Sequence, residues 1–258
     1  MKEIISSSSN PQYKLAFKIS QTKRERTKQG LALLDGVHLV RAWLDAGREI
    51  ETVLFTEAGA EKSEIEHLLQ QIQAKTLCIS EALFSTLSEL PSATGLLAIV
   101  KIPTPPAAKV DGFCLLLDGV QDPGNVGAIL RTAFAAGVQQ VWLSAQCADI
   151  WSPKVLRAGM GAQVVLPCIE NADLVSLAQS FKGQVVASLL DEAASDLYQT
   201  DLRGDIAFVM GSEGQGVSPE MAAMAKTKVL IPMQAGIESL NVGHASAIAL
   251  YEVMRQNR

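Results

Sequence analysis

No stretch of this chain approaches the roughly 20 uninterrupted apolar residues that a membrane span needs, and the opening MKEIISSSSN lacks the apolar core of a signal peptide. The expectation is a soluble cytosolic protein. Cysteine is scarce: Cys78, Cys114, Cys147 and Cys168 are far apart and form no CxxC pair, which argues against a metal cluster or a disulfide framework. Three of the four lie in apolar, strand-like runs and are expected as buried, reduced thiols. His38 and His67 lack metal-ligand spacing, so no metal is expected. Excess positive charge is also missing. A net charge of −5 excludes a protein that coats nucleic acid through a uniformly basic surface, since such binding is driven by counterion release from phosphates. Neither the dinucleotide fingerprint GxGxxG nor the phosphate loop GxxxxGK[ST] occurs in its proper context, which disfavours a nucleotide-dependent oxidoreductase.

One local exception to the acidic balance stands near the N-terminus. Lys14, Lys18, Lys23, Arg24, Arg26 and Lys28 fall within fifteen positions, opposed only by Glu25. A solvated helix face is the plain reading of such a run. Its contrast with the rest of the chain makes it the candidate RNA contact, with Lys23, Arg24 and Arg26 at its centre.

The segment KIPTPPAAKVDG has three prolines and no apolar periodicity, the composition of a linker. It sets expected boundaries of 1–100, 101–111 (linker) and 112–258. Upstream, a helical pattern near residues 10–28 precedes the runs GLALLDG, IETVLFT, KTLCIS and GLLAIV, an alternation that indicates a small α/β domain. Downstream, FCLLLDGV, VQQVWLS, VVLPCI, VVASLL, DIAFVMGS and KVLIPM alternate with helical segments. Near-continuous apolar strands belong to a parallel sheet covered on both faces. A last helix is expected from Ser239 to about Gln256, burying Leu240, Ala247, Ile248, Tyr251 and Met254.

In an open parallel sheet, ligands gather beyond the carboxyl ends of the strands. Three polar loops occupy such places. The first runs from Asp118 to Gly127 into a helix whose apolar stripe, Val126, Ile129, Leu130, Ala133 and Phe134, leaves Arg131 off the core. The second, Met210-Gly211-Ser212-Glu213-Gly214-Gln215-Gly216, has three glycines in six residues, which let a ligand approach the main chain. The third is Ile231-Pro232-Met233 followed by Glu238-Ser239-Leu240-Asn241 at the start of the last helix. Taken singly, a surface arginine after a helix cap, a tight turn and ordinary capping explain each loop equally well.

Together and in this order the loops resemble the three motifs of the SpoU (TrmH) type RNA 2′-O-ribose methyltransferases of the SPOUT superfamily. The motifs read Asn125-x-Gly127-x-x-x-Arg131, Gly211-x-Glu213-x-x-Gly216, and Ile231-Pro232-Met233 with Ser239-Leu240-Asn241-Val242. Upstream, Asn10-Pro11, Lys14, Lys23-Arg24-Glu25-Arg26, Gly30 and Leu34-Asp35-Gly36 resemble the small ribosomal-protein-like RNA-binding domain that often precedes this catalytic domain. The resemblance implies an α/β fold with a deep trefoil knot in the C-terminal parallel-sheet domain, and a homodimer whose interface lies beside the active sites. It implies S-adenosylmethionine bound by Gly211, Ile231 and Leu240, with Met210, Met233 and Ser239 as neighbours. It makes Arg131 the catalytic arginine, with Asn125, Glu213 and Asn241 orienting it and the ribose. The substrate implied is structured RNA, ribosomal RNA ahead of transfer RNA. Base methylation and RNA binding without catalysis are the competing readings. Many relatives have Asn-Val-Ser in the third motif, whereas this chain reads Asn241-Val242-Gly243-His244, leaving Ser239, Ser246 or His244 to replace the missing hydroxyl.

Overall fold

A computed structural model describes residues 3–90, 94–191 and 194–258. Its contacts divide the chain into two units, Met1–Thr104 with Trp151–Val164, and Pro105–Ile150 with Val165–Arg258.

The first unit is built on five strands, β1 (Ile4–Ile5), β2 (Leu31–Asp35), β3 (Thr52–Phe55), β4 (Lys75–Ile79) and β5 (Leu96–Lys101), in the order β1-β4-β3-β5-β2. β4 pairs in parallel with β1 and β3, whereas β5 is antiparallel to both its neighbours. The helices are α1 (Pro11–Gln21), α2 (Lys23–Gln29), α3 (Val37–Asp45), α4 (Glu57–Ala60), α5 (Ser63–Gln71) and α6 (Glu81–Ser85). The single helical pattern expected near 10–28 is two helices. Thr22 is extended and ends α1, while its hydroxyl accepts from the Glu25 amide to start α2. Asn10 caps α1 by accepting from the Gln12 and Tyr13 amides, with Pro11 at the first helical position.

The second unit holds β6 (Phe113–Asp118), α7 (Pro123–Ala135), β7 (Gln140–Leu143), β8 (Cys168–Ile169), α10 (Leu174–Ser180), β9 (Gln184–Ser188), β10 (Ser195–Asp196), β11 (Ile206–Gly211), α11 (Pro219–Met224), β12 (Thr227–Leu230) and α12 (Val242–Gln256). Between β7 and β8 come α8 (Pro153–Ala158), which belongs to the first unit and lies against β2, and the short α9 (Ala162–Val165). The sheet runs β10-β12-β9-β11-β6-β7-β8 with every pair parallel. Each residue of β11 is buried, which is why its sequence is a continuous apolar run.

Four expectations are corrected. VVLPCI is a strand only at its end, because Val164 and Val165 close α9 and Pro167 interrupts the run. The last helix begins at Val242, not Ser239, so Ser239 and Leu240 precede it in a loop. Its buried face is also rotated: Val242, Ser246, Ala249, Leu250 and Val253 face inward, while Tyr251 is 46% exposed. Phe134, expected in the α7 core, is likewise 49% exposed. The four cysteines are free thiols, and burial pushes Cys114 up to about 11. No helix among the described residues is long and apolar enough to cross a membrane.

Candidate active site

The register of the central strands places Gly211 beside Asp118, so the first and second loops leave the sheet at the same point. The Asp118 carboxylate accepts from the Ser218 amide at 2.8 Å and ties the glycine-rich turn back to β6. Within that turn the Ser212 and Gly216 backbones exchange two hydrogen bonds, at 2.9 and 3.0 Å, and Gly216 has φ +69°. A Cβ on Gly211 would lie 2.0 Å from the Gly216 carbonyl carbon and 2.1 Å from the Val217 nitrogen. Only glycine permits the turn to fold this closely over the strand end.

That closeness fixes Glu213. Its carboxylate accepts from the Asn125 side-chain amide at 2.9 Å and from the backbone amides of Gln121 and Asp122 at 3.2 Å each. Asn125 is itself placed by the Asp122 cap, whose carboxylate accepts from the Asn125 amide at 2.8 Å. Burial pushes the Glu213 carboxyl upward, but the Asn125 side chain and the backbone donors outweigh it and hold the group below its ordinary value. Asn241 completes the set. Its side-chain oxygen caps α12 by accepting from the Gly243 and His244 amides, and its Nδ2 donates to Asn125 Oδ1 at 3.0 Å. Three loops spread over 116 residues of sequence, from Asn125 to Asn241, thus meet in one chain of hydrogen bonds, Asn241 to Asn125 to Glu213.

A cleft of about 1010 Å³ opens beyond the strand ends. All six residues expected to hold the cofactor, Met210, Gly211, Ile231, Met233, Ser239 and Leu240, line it, as do Glu213 and Asn241. Asn125 and Arg131 are not in its wall. Arg131 is exposed on α7 and has no hydrogen bond or ion pair among the described residues. The sequence reading missed the wall formed by Ser188, Leu189, Leu190 and Asp191 after β9. An apolar strand followed by an acidic residue was the available signal, but it has no glycine or helix cap to single it out. Of the candidates to replace the third-motif serine, Ser246 is buried and donates to the Val242 carbonyl, His244 is exposed, and Ser239 alone lines the cleft. A Cβ at Gly243 would stand 3.1 Å from Asn241 Oδ1 and 3.7 Å from Asn125 Oδ1, directly beside the network.

The expected RNA contacts separate. Arg24 is exposed and Lys23 half-buried, but Arg26 is only 5% exposed and its guanidinium donates to the carbonyls of Ile19 and Ser20 at the end of α1. It satisfies the unpaired carbonyls of that terminus and fastens α2 to α1. Among the described residues no group of three or more side chains could hold a metal ion.

A parallel α/β sheet with a large cleft at its strand ends, bordered by a fixed amide and carboxylate network, defines an enzyme that binds a small cofactor there. The SpoU rRNA methylase family matches residues 112–251, and an MRM3-like substrate binding domain matches residues 10–98. An uncharacterised tRNA/rRNA methyltransferase of Synechocystis sp. is 35% identical over 98% of this chain and 93% of its own length. The 23S rRNA (guanosine-2′-O-)-methyltransferase RlmB of Shewanella oneidensis is 33% identical over 88% of this chain and 98% of its own length. The AdoMet-bound rRNA methyltransferase of Sinorhizobium meliloti superposes with a TM-score of 0.84 at 27% identity, covering 98% of this chain and 97% of that one. The chain belongs to the SpoU rRNA methylase family, and it is an S-adenosylmethionine-dependent RNA methyltransferase.

Proposed function

We propose that this chain methylates a ribose 2′-hydroxyl of ribosomal RNA, acting in the cytoplasm as a homodimer. The observation that carries the reading is the Asn241–Asn125–Glu213 network at the edge of the cleft, since it joins the three loops whose residues the reaction requires. Ribosomal RNA is favoured over transfer RNA because RlmB is named for 23S rRNA and an RNA-binding unit precedes the catalytic one.

The cleft suits the cofactor. Leu190 and Leu240 lie in its wall, 68% and 37% exposed, beside the polar groups of Ser188, Gln215 and Ser239, a lining that fits a ligand with a flat apolar ring and polar edges. Gly211, Ile231 and Leu240 would hold it, with Met210, Met233 and Ser239 around them. The bound cofactor supplies an electrophilic methyl group on a sulfonium. The chain's own work is then to align the attacking oxygen and manage its proton. Arg131, without a hydrogen bond or ion pair among the described residues, holds an RNA phosphate and polarises the hydroxyl; a guanidinium keeps its proton too tightly to serve as a base. Glu213, held ionised by its donors, orients Asn125, and Asn241 locks the last loop to both. The deep knot expected of this fold belongs to the proposal, and the C-terminal helix is firmly held in the catalytic unit. α12 packs on α7, and its end is bound to residues 200–204 by four hydrogen bonds through Gln256 and Asn257. The dimer reading rests on the large apolar side chains that the packed helices α7 and α12 leave exposed, Phe134 and Tyr251, with Arg131 also exposed on α7.

Transfer of a radiolabelled methyl group to RNA from cells lacking the protein, followed by alkaline digestion, tests the reading, because alkali cannot cleave beside a 2′-O-methylated ribose. Label in alkali-resistant dinucleotides is expected; label in mononucleotides would place the methyl on a base. Arg131→Ala should abolish transfer while changing cofactor affinity by only a few-fold.

A further inference from the structure

An aromatic side chain of α1 is unexplained by the core and by the catalytic unit. Phe17 is 41% exposed on a helix whose other aromatic, Tyr13, is buried. The two rings lie nearly parallel, with centroids 6.2 Å apart and an interplanar angle of 25°. Tyr13 is anchored from behind: its hydroxyl lies 2.8 Å from Thr86 Oγ1, which itself donates to the Leu83 carbonyl at 2.7 Å. Phe17 is therefore held on one side by a fixed ring while part of it stays open to solvent. Lys14 and Lys18 lie about 60° and about 100° round the helix from it, both to the same side, so the three side chains share an arc of about 100° with Phe17 at one end. Both lysines are exposed, with no ion pair among the described residues, and Arg24 and Lys28 on α2 are exposed in the same way. A plain solvated face would carry the charges without the ring. A protein–protein contact would favour an apolar patch, whereas this ring stands among cations in a chain of net charge −5.

We propose that Phe17 is a stacking platform for an unpaired base of the RNA substrate, with Lys14 and Lys18 beside it holding the neighbouring phosphates. This rests on the RNA methyltransferase reading and adds to it a demand for single-stranded RNA at α1. Aromatic rings accept any base by stacking and so recognise an unpaired segment without reading its sequence. Base-paired RNA has no free face to offer the ring.

The full-length protein should be titrated with a fluorescein-labelled 12-nucleotide adenosine strand and with an RNA duplex of the same length across a range of salt. Phe17→Ala should weaken binding of the single strand about tenfold, leave the duplex unchanged and leave the salt slope intact, since stacking releases no counterions. Phe17→Trp should bind as tightly as the parent. The three native tryptophans are buried, so the emission of the new indole is separable by its red shift and should be quenched by the strand. Lys14→Glu with Lys18→Glu should weaken both probes and flatten the salt slope. If the lysine variant weakens binding but Phe17→Ala does not, and the indole is not quenched, stacking is refuted while RNA binding at these helices stands. If neither variant alters binding of either probe, the helices do not contact RNA and the inference falls, with the alkaline-digestion assay still judging the methyltransferase reading on its own.

Discussion

Asn125 is the residue on which the three loops depend, because it donates to Glu213 and accepts from Asn241 at the same time. Replacing it with aspartate keeps the size and the acceptor but turns the donor at 2.9 Å into a second carboxylate oxygen. Like charges this close cannot both ionise cheaply. Transfer by Asn125→Asp should fall about a hundredfold at neutral pH and recover in part as the pH is lowered and the pair takes up a proton. The parent behaves oppositely. Glu213 has a lowered folded pKa, so its contribution is complete above the ordinary carboxylate range and is lost only as pH falls through the depressed value. A pH profile of transfer that is flat for the parent down to about pH 5 and rises for the variant on acidification checks both signs; parallel profiles would remove Glu213 from the network's electrostatics. The three loops were legible in sequence because they stand where polar groups follow apolar strands, whereas the choice of Asn125, Glu213 and Asn241 within them rests on the family resemblance. Their mutual hydrogen bonds were not. Nothing in the spacing of Asn125, Glu213 and Asn241 says that one amide bridges the other two, since that follows from the β6–β11 register and from the close fold of the turn over Gly211.

At the scale of elements, strand runs were read well because burial on both faces leaves an unmistakable apolar signal, as in β6 and β11. Helix faces were read less well. In α12 the apolar spacing predicts Ile248, Tyr251 and Met254 as the buried stripe, yet the inner face mixes Val242, Leu250 and Val253 with the small residues Gly243, Ser246 and Ala249, and the helix packs on α7 and β11. Close helix packing selects small side chains, and a hydrophobicity pattern gives them little weight. The basic run shows the same limit, for periodicity does not distinguish the buried clamp Arg26 from its exposed neighbour Arg24. The end of α12 was also silent in sequence, although Asn257 donates to the carbonyls of Leu202 and Val253 and accepts from the Gly204 amide. Asn257→Ala removes these bonds and leaves backbone groups unsatisfied. A loss of about 1–2 kcal/mol is expected, read as a lower melting temperature with cofactor affinity preserved in what remains folded. An unchanged melting temperature would mean that the helix end is held by packing alone.

For the molecule as a whole, a net charge of −5 means that RNA must be gathered locally, and the large apolar side chains left exposed on α7 and α12 call for a partner of their own. Phe134 and Tyr251, 49% and 46% exposed, stand on two helices packed against each other, and Arg131 is three residues before Phe134 on the same side of α7. A second copy of the chain is the occupant proposed for this face, and it would bring its own Arg131 to the same boundary. Phe134→Glu with Tyr251→Glu should then convert a dimer to a monomer in light scattering, because buried carboxylates facing their own copies across a two-fold interface are strongly unfavourable. Both positions are exposed in the single chain, so the variant should keep its melting temperature apart from the stability that dimerisation itself adds. Loss of methyl transfer together with the dimer would show that the site works only when the face is covered. A monomer that transfers methyl groups as well as the parent would separate assembly from catalysis and leave Arg131 to act within its own chain.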